Sequence, residues 1–205
     1  MMRRAILLAT LILTLVSGTA TADSLQGRFG VTGKVGAVVP LQDDFISGTS
    51  DSNSAIAAGG GLIFGLSRNC ALEIDVTHVP ELDLEIAGDK AYEATFTDIA
   101  LGFQYRIASD NRLVPFIGFG VDFIKGDLEH VNGTNYDLEW TVGGHVNAGM
   151  DYFITRGIAL TVDLRGLYAA KGDVEGGGTK VGEYDPMSFI GTAGIRLILP
   201  EHAFW

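Results

Sequence analysis

The chain has few of the residues that build disulfide, metal or cofactor sites. Its 205 residues include one cysteine, two tryptophans, four histidines and five prolines. Cys70 cannot form a disulfide within the chain, and no second thiol or suitably spaced histidine makes it part of a zinc site. We therefore expect no metal ion and no cofactor.

Basic residues are also scarce. Lysine and arginine total 14, against 25 aspartates and glutamates, so the formal net charge is −11. An acidic chain gains nothing from the phosphates of DNA or RNA. This balance excludes nucleic acid as a partner.

Long apolar runs are absent after the first residues. Arg3 and Arg4 precede an apolar run from Ala5 to Val16, which is followed by small residues up to Ala22. This order is typical of a secretory signal peptide, and we place cleavage after Ala22. The run is too short for a membrane anchor. Residues 1–22 are thus predicted to be a cleaved signal peptide, and 23–205 a single domain with 12 basic and 25 acidic residues, a formal charge of −13.

What the mature chain does contain is a repeated two-residue alternation. The last instance places Phe189, Ile195 and Leu197 on one face and Thr192 and Arg196 on the other, because successive side chains of a strand point to opposite sides. Segments of about ten such residues are the signature of a transmembrane β-barrel. The alternation predicts an all-β fold, an eight-stranded antiparallel up-and-down barrel, with strands near 28–39, 54–66, 71–79, 94–107, 112–124, 140–153, 158–168 and 187–199.

The connections alternate in length. Short turns are predicted at 67–70, 108–111 and 154–157, and long polar loops at 40–53, 80–93, 125–139 and 169–186. Barrels of the bacterial outer membrane have short periplasmic turns and longer extracellular loops. We therefore expect an outer-membrane location, with both termini on the periplasmic side.

A soluble lipocalin-like barrel is the structural alternative, with its apolar face inward around a ligand. Here Ile117, Phe119, Val121 and Phe123 share one face of a strand opposite Asp122. Aromatic residues stand near both ends of the apolar faces, as in the interfacial girdles of membrane barrels: Phe29, Tyr105, Trp140, Tyr152, Tyr168 and Phe189. This arrangement favours the membrane barrel.

Several motifs resemble the OmpW family of small outer-membrane barrels. They are Arg-Phe-Gly at 28–30 leading to Val-Val-Pro at 38–40, Val-Pro-Phe-Ile-Gly-Phe-Gly-Val at 114–121, Gly-Met-Asp-Tyr-Phe-Ile-Thr-Arg at 149–156 and Tyr-Asp-Pro at 184–186. The chain departs from the family in its non-aromatic final strand end, the extension from Pro200 to Trp205 and its short outer loops. The resemblance implies an eight-stranded monomer with a narrow channel for small hydrophobic molecules. Residues 192–199 also resemble the terminal-strand signal read by barrel-insertion machinery.

The inward-facing residues separate by depth into two sets. Toward the extracellular end they are apolar and form a predicted hydrophobic cup: Val38, Val79, Phe96, Ile124, Leu167 and Ile190. Below the cup they form a predicted charge network, in which Asp98, Asp122 and His145 lie at an intermediate depth and the others lie toward the periplasm: Lys34, Glu73, Asp75, Asp98, Arg106, Asp122, His145, Asp151, Asp163, Arg165 and Arg196. We expect Val38 to lie beside Ile190, and Phe96 beside Ile124.

Each set has a purely structural interpretation. Apolar residues near strand ends pack under loops, and an eight-stranded barrel is just wide enough for side chains to fill it. Buried charges must pair to be tolerated. His145 is either a protonation switch or one member of that network. His78 would face the outer-leaflet interface, but no serine is spaced to make it part of a lipid-modifying site, so we expect no enzyme.

Two functions remain open. The first is a narrow channel or binding barrel for small hydrophobic compounds. The second is a structural or surface-interaction barrel with a sealed lumen and partner-binding loops. In either case the expected partners are outer-membrane lipid, lipopolysaccharide and the insertion machinery, and the expected state is a monomer.

Overall fold

The computed structural model describes residues 25–41, 51–52, 54–86, 89–107, 112–177 and 179–199. The predicted signal peptide and the extension from Pro200 to Trp205 lie outside the described residues. These ranges contain eleven strands: β1 Phe29–Pro40, β2 Asp51–Ser52, β3 Ala55–Gly65, β4 Cys70–Ile86, β5 Asp89–Arg106, β6 Leu113–His130, β7 Asn135–Thr155, β8 Ile158–Ala169, β9 Gly172–Gly176, β10 Thr179–Tyr184 and β11 Ser188–Ile198.

Eight of these strands, β1, β3 to β8 and β11, form a closed barrel. Each pairs antiparallel with the next along the chain, and β11 pairs with both β8 and β1 to complete the ring. The predicted eight-stranded antiparallel barrel is confirmed. Within the described ranges no helix is long and apolar enough to cross a membrane.

The two faces of the wall follow the alternation in the sequence. On β6, Ile117, Phe119, Val121 and Phe123 point outward and are 37–62% exposed, whereas Asp122 between them is fully buried. Large apolar side chains cover the outside of the other barrel strands in the same way. An apolar outer face with charges inside is the arrangement of a membrane barrel, so the lipocalin-like alternative is wrong.

The strands are longer at one end than the sequence predicted. β4, β5, β6 and β7 have 17, 18, 18 and 21 residues, whereas a tilted strand needs only about 9–11 residues to cross a bilayer. Segments 80–93 and 125–139, which we expected to be loops, therefore consist mostly of strand. These segments are polar and contain glycine, which suggested loops, but the alternation of inward and outward residues continues through them. Leu82 and Leu84, for example, are both fully buried.

The predicted loop 169–186 also contains strand. β9 and β10 form a hairpin, and β9 continues the sheet by pairing Val174 with Leu138 of β7. Two of the predicted short turns overlap the observed connections, which join β3 to β4 at 66–69 and β7 to β8 at 156–157. The third, predicted at 108–111, lies outside the described residues. We refer to the extended end as the hairpin end and to the opposite end as the turn end; in outer-membrane barrels the turn end faces the periplasm.

One ladder is interrupted near the hairpin end. Pairing between β3 and β4 ends at Ala58 and His78, and the register of β4 against β5 shifts between Val79 and Leu82. Pro80 lies in this stretch and has no N–H to donate to a neighbouring strand. β3 nevertheless continues to Ala55 along β1. No ladder pair therefore joins residues 55–57 of β3 to β4, and pairing with β4 resumes only further out, where β2 sets Ser52 opposite Leu84.

Candidate functional site

The lumen is filled by layers of side chains that change in character with depth. The layer nearest the hairpin end is apolar and includes all six residues of the predicted cup, each 0–5% exposed: Val38, Val79, Phe96, Ile124, Leu167 and Ile190. The charged residues lie deeper, as expected. Beneath them is a second apolar layer, which the sequence analysis did not identify: Leu25, Ile63, Ala71, Val114, Phe153, Ala159 and Ile198.

The cup extends further into the hairpin end than predicted. Its cluster also contains Leu82, Leu84, Leu128, Leu138, Val174 and Tyr184, all buried. Tyr184 packs over Gly172 and donates a hydrogen bond from its hydroxyl to the backbone oxygen of Glu139, 2.7 Å away. The β9–β10 hairpin is thereby fixed against β7. For the four leucines, the sequence did contain a signal, namely the alternation that continues after residues 79 and 124.

One of the two expected cup contacts is confirmed in register. Val38 and Ile190 are directly paired between β1 and β11. The expected pairing of Phe96 with Ile124 is wrong: Ile124 lies opposite Asp98, and Phe96 lies opposite Gly126. Phe96 and Ile124 are instead offset by two residues along the strands and belong to the same apolar cluster. Asp98 therefore adjoins the cup directly.

The layer beneath the cup is an upper charge cluster, consisting of Lys34, Asp75, Asp98, Asp122, His145 and Arg165. Lys34 Nζ lies 2.7 Å from Asp75 Oδ1, and His145 Nδ1 lies 2.9 Å from both carboxylate oxygens of Asp122. Arg165 stands among the three aspartates, at 3.5 Å from Asp98, 3.8 Å from Asp75 and 3.9 Å from Asp122. Its charge is shared rather than committed to one partner.

Nearer the turn end is a lower charge cluster, consisting of Glu73, Gln104, Arg106, Asp151 and Arg196. Arg196 donates to Asp151 at 2.7 Å and to Glu73 at 2.9 Å, and Arg106 donates to the same oxygen of Asp151. Gln104 links the two halves, because it donates to Glu73 at 2.7 Å and accepts from Arg106 at 3.0 Å. Two carboxylates thus face two guanidinium groups at short range.

Two further features complete the lower cluster. The guanidinium carbons of Arg106 and Arg196 lie 5.6 and 5.9 Å from the centre of the Phe116 ring, within the range of a cation–π interaction. Asp163, the remaining predicted charge, accepts a hydrogen bond from Asn147 at 2.6 Å. All eleven predicted network residues are therefore buried in the lumen. The contacts of Gln104, Phe116 and Asn147 were not predicted, because strand alternation assigns a residue to the inner face without indicating which side chains it touches.

Glycine makes space for the histidine of the upper cluster. A Cβ atom at Gly120 would lie 2.5 Å from His145 Cε1 and 2.3 Å from the backbone oxygen of Leu101. Both distances are far below normal contact. His145 occupies this space across the pair that joins β6 and β7.

Outside the lumen, carboxylates gather on the β4–β5 hairpin. Lys90 Nζ lies 3.4 Å from Glu81 and 3.0 Å from Glu93, and also pairs with Asp83. These three acids are spaced as metal ligands could be. The hydrogen bonds that Lys90 donates, first to Asp83 and then to Glu93, raise the pKa of Lys90 above its ordinary value. The lysine therefore already supplies the positive charge of this group. His78, also outside, bonds Thr97 Oγ1 at 3.0 Å.

A family model decides the class of the protein. The outer membrane protein beta-barrel domain family matches residues 8–196. The chain belongs to this family. As a member of this family it is a bacterial outer-membrane β-barrel protein. No curated protein matches the chain.

Solved barrels support the fold at low sequence identity. The outer membrane protein OprG from Pseudomonas aeruginosa has a TM-score of 0.63 and 13% identity, with 88% of this chain and 99% of OprG covered. AlkL, solved in lipid bilayers, has a TM-score of 0.61 and 19% identity, with 92% and 97% covered. Neisserial surface protein A has a TM-score of 0.61 and 15% identity, with 84% and 97% covered. The resemblance to the OmpW family is thus confirmed for the barrel type and not for that family in particular.

Proposed function

We propose that this outer-membrane β-barrel takes small hydrophobic compounds into the cup at the hairpin end of its lumen and serves as a narrow channel or binding barrel for them. The observation that carries this proposal is the cup itself. Its six residues line one continuous apolar layer that ends abruptly at the buried charges of the upper cluster. A guest in this layer gains about 0.8 kcal/mol for each methylene removed from water.

The interrupted ladder between β3 and β4 supports access to the cup. Ala57 and Val79 are cup-level residues on the two sides of this interruption, and both are fully buried. Separating the strands there breaks none of the backbone hydrogen bonds that join the rest of the wall. A guest entering beside Val79 reaches Phe96 directly, because these two residues are paired between β4 and β5.

We also propose the finer placement in the OmpW family, together with a monomeric state and contact with outer-membrane lipid and lipopolysaccharide. The order of the four motifs supports the placement. The closed ring of strands supports the monomer, since a closed barrel leaves no strand edge for another copy to pair with. The apolar outward face supports contact with lipid.

The test is uptake of radiolabelled 1-decanol by whole cells that lack other hydrophobic-compound channels and produce this protein. We expect Phe96→Asp or Ile190→Asp to lower uptake strongly, because each places a charge in the apolar layer. Phe119→Asp introduces the same charge on the lipid-facing side of the barrel. We expect this variant to fold poorly, which is detected as a lower amount of the protein in the outer membrane. Phe119→Ala is the matched control and should leave uptake unchanged, since Phe119 is 62% exposed outside the barrel.

A second candidate function, the surface-interaction barrel with a sealed lumen, is favoured by one observation. The cup is continuous with the buried side chains of the hairpins, such as Leu128 and Leu138, and the whole layer packs as a core would. Equal decanol uptake by the wild type and by a correctly inserted Phe96→Asp protein would support this function and refute the channel.

A further inference from the structure

The charges beneath the cup do not balance. The upper charge cluster contains three carboxylates, Asp75, Asp98 and Asp122, against two permanent cations, Lys34 and Arg165. His145 supplies a third positive charge only when it is protonated. The lower cluster sets Glu73 and Asp151 against two arginines, and Asp163 beside it accepts a hydrogen bond from the neutral amide of Asn147. The lumen therefore has an excess of negative charge, and part of that excess lies at the level next to the cup.

Asp98 is the carboxylate that this arrangement satisfies least. Its side chain is fully buried, and its Oδ1 atom has no hydrogen-bond partner among the described residues. Its other oxygen lies 3.5 Å from Arg165 Nη1, well beyond the usual 2.7–2.9 Å or so of a charge-assisted hydrogen bond. Arg165 is held back because it also faces Asp75 and Asp122. A buried carboxylate with an unmet oxygen is costly unless a donor reaches it.

The neighbours of Asp98 indicate from which side a hydrogen-bond donor could reach it. Asp98 is paired with Ile124 on β6 and follows Phe96 by two residues on the same face of β5, so two cup residues adjoin it. On its other side it is paired with Thr77. The head group of a molecule whose alkyl chain lies against Phe96 and Ile124 would therefore lie beside Asp98.

We propose that the cup selects amphiphiles with a cationic head, an alkylammonium ion whose head group donates to Asp98 and whose chain lies against Phe96 and Ile124. The proposal rests on the proposed function, namely that the cup accepts an apolar guest. An ammonium group fits better than a metal ion, because the only set of three converging acidic ligands among the described residues is the distant group at Glu81, Asp83 and Glu93. One carboxylate suffices for an ammonium group.

The test uses three decyl probes that carry the same photoreactive diazirine at the chain end and differ only in the head: ammonium, alcohol or carboxylate. The full barrel is placed in lipid nanodiscs at pH 7, and cross-links to lumen residues are counted by mass spectrometry against those to lipid-facing residues such as Phe119. We expect lumen labelling in the order ammonium, alcohol, carboxylate. A charge-assisted hydrogen bond contributes about 1.5–3 kcal/mol, so the ammonium probe should require at least about tenfold less concentration than the alcohol.

Asp98→Asn is the decisive variant, because it keeps the size of the side chain and removes the charge. It should fold, since Arg165 retains Asp75 and Asp122 and the excess of acid falls. We expect it to abolish the preference for ammonium while alcohol labelling persists. Asp163→Asn is the matched control: it makes the same charge change in the lumen, but beside Asn147 and away from the cup. It should preserve the preference.

The outcomes separate the two proposals. Absence of lumen labelling by every probe refutes the proposed function and this inference with it. Labelling by the alcohol at the same concentration as the ammonium, or an unchanged preference in Asp98→Asn, overturns the inference alone. If Asp98→Asn does not insert, the ranking of the three probes on the wild-type barrel decides the question.

Discussion

Replacing Arg196 with alanine should strongly destabilise the barrel. Arg196 is 2% exposed and donates hydrogen bonds to Asp151, Glu73 and Thr32 at 2.7, 2.9 and 2.9 Å. After its removal Asp151 retains Arg106, but Glu73 retains only the neutral amide of Gln104. Leaving one buried carboxylate without a cation costs about 3–5 kcal/mol. We expect Arg196→Ala to lower the free energy of unfolding by that amount.

The measurement is urea unfolding of the refolded barrel in detergent micelles, followed by far-ultraviolet circular dichroism and extrapolated linearly to zero denaturant. Arg156→Ala is the matched control, since this arginine is exposed at a turn. It should change the free energy of unfolding by no more than about 0.5 kcal/mol.

A second substitution tests whether the unpaired charge is the cause. Adding Glu73→Gln to Arg196→Ala removes the carboxylate that lost its cation, and should restore at least about 1.5 kcal/mol. A loss below about 1 kcal/mol in Arg196→Ala would contradict the reasoning, given the cost of an unpaired buried charge. The reasoning would also be contradicted if the double variant had a lower free energy of unfolding than Arg196→Ala. The stability lost in Arg196→Ala would then reflect lost packing and not an unpaired charge.

Two further substitutions probe other contacts. Gly120→Ala should destabilise the barrel by about 1–3 kcal/mol, because its Cβ would meet His145 and the Leu101 backbone; Gly166→Ala, with open space around its Cβ, should be nearly neutral in the same urea assay. Burial raises the pKa of Tyr184 above its ordinary value of 10.0, so the folded state holds the phenolic proton more tightly than the unfolded state does. Stability should therefore fall as the pH rises above 10.0. This dependence should weaken in Tyr184→Phe; an identical pH profile in both proteins would show that the buried hydroxyl does not cause it.

The barrel itself was predictable because strand alternation has a fixed period. Ile117 and Asp122 could be assigned to opposite faces from the sequence alone, and the structure confirms both. Strand ends were not predictable to the same degree. The segments that follow Val79 and Ile124 are polar and contain glycine, which suggests loops. They nevertheless continue the sheet, and the strand register shifts just after both positions.

The layers of the lumen could be predicted, but the partners within them could not. Depth depends only on strand direction and position along the strand, so inward residues near the same end of the barrel could be grouped together, and the structure buries all of them. Whether Asp98 faces Arg165, or Arg196 faces Glu73, depends on the stagger of eight strands around the ring. A shift of two residues, as between Phe96 and Ile124, exchanges one partner for another without altering the alternation.

The seam between β1 and β11 determines when the barrel can become complete. Lys34 pairs with Gly194, so the first and last strands of the barrel meet although most of the chain separates them in sequence. Contacts between such distant segments are formed slowly, since the entropy of closing the intervening chain is lost before the contacts form. The seam is also tight: a Cβ at Gly194 would lie 2.1 Å from the backbone oxygen of Gly33. A side chain at Gly194 would therefore hinder the pairing of β1 with β11 that closes the ring. It would slow assembly of the barrel and leave the strand pairs formed earlier largely unaffected.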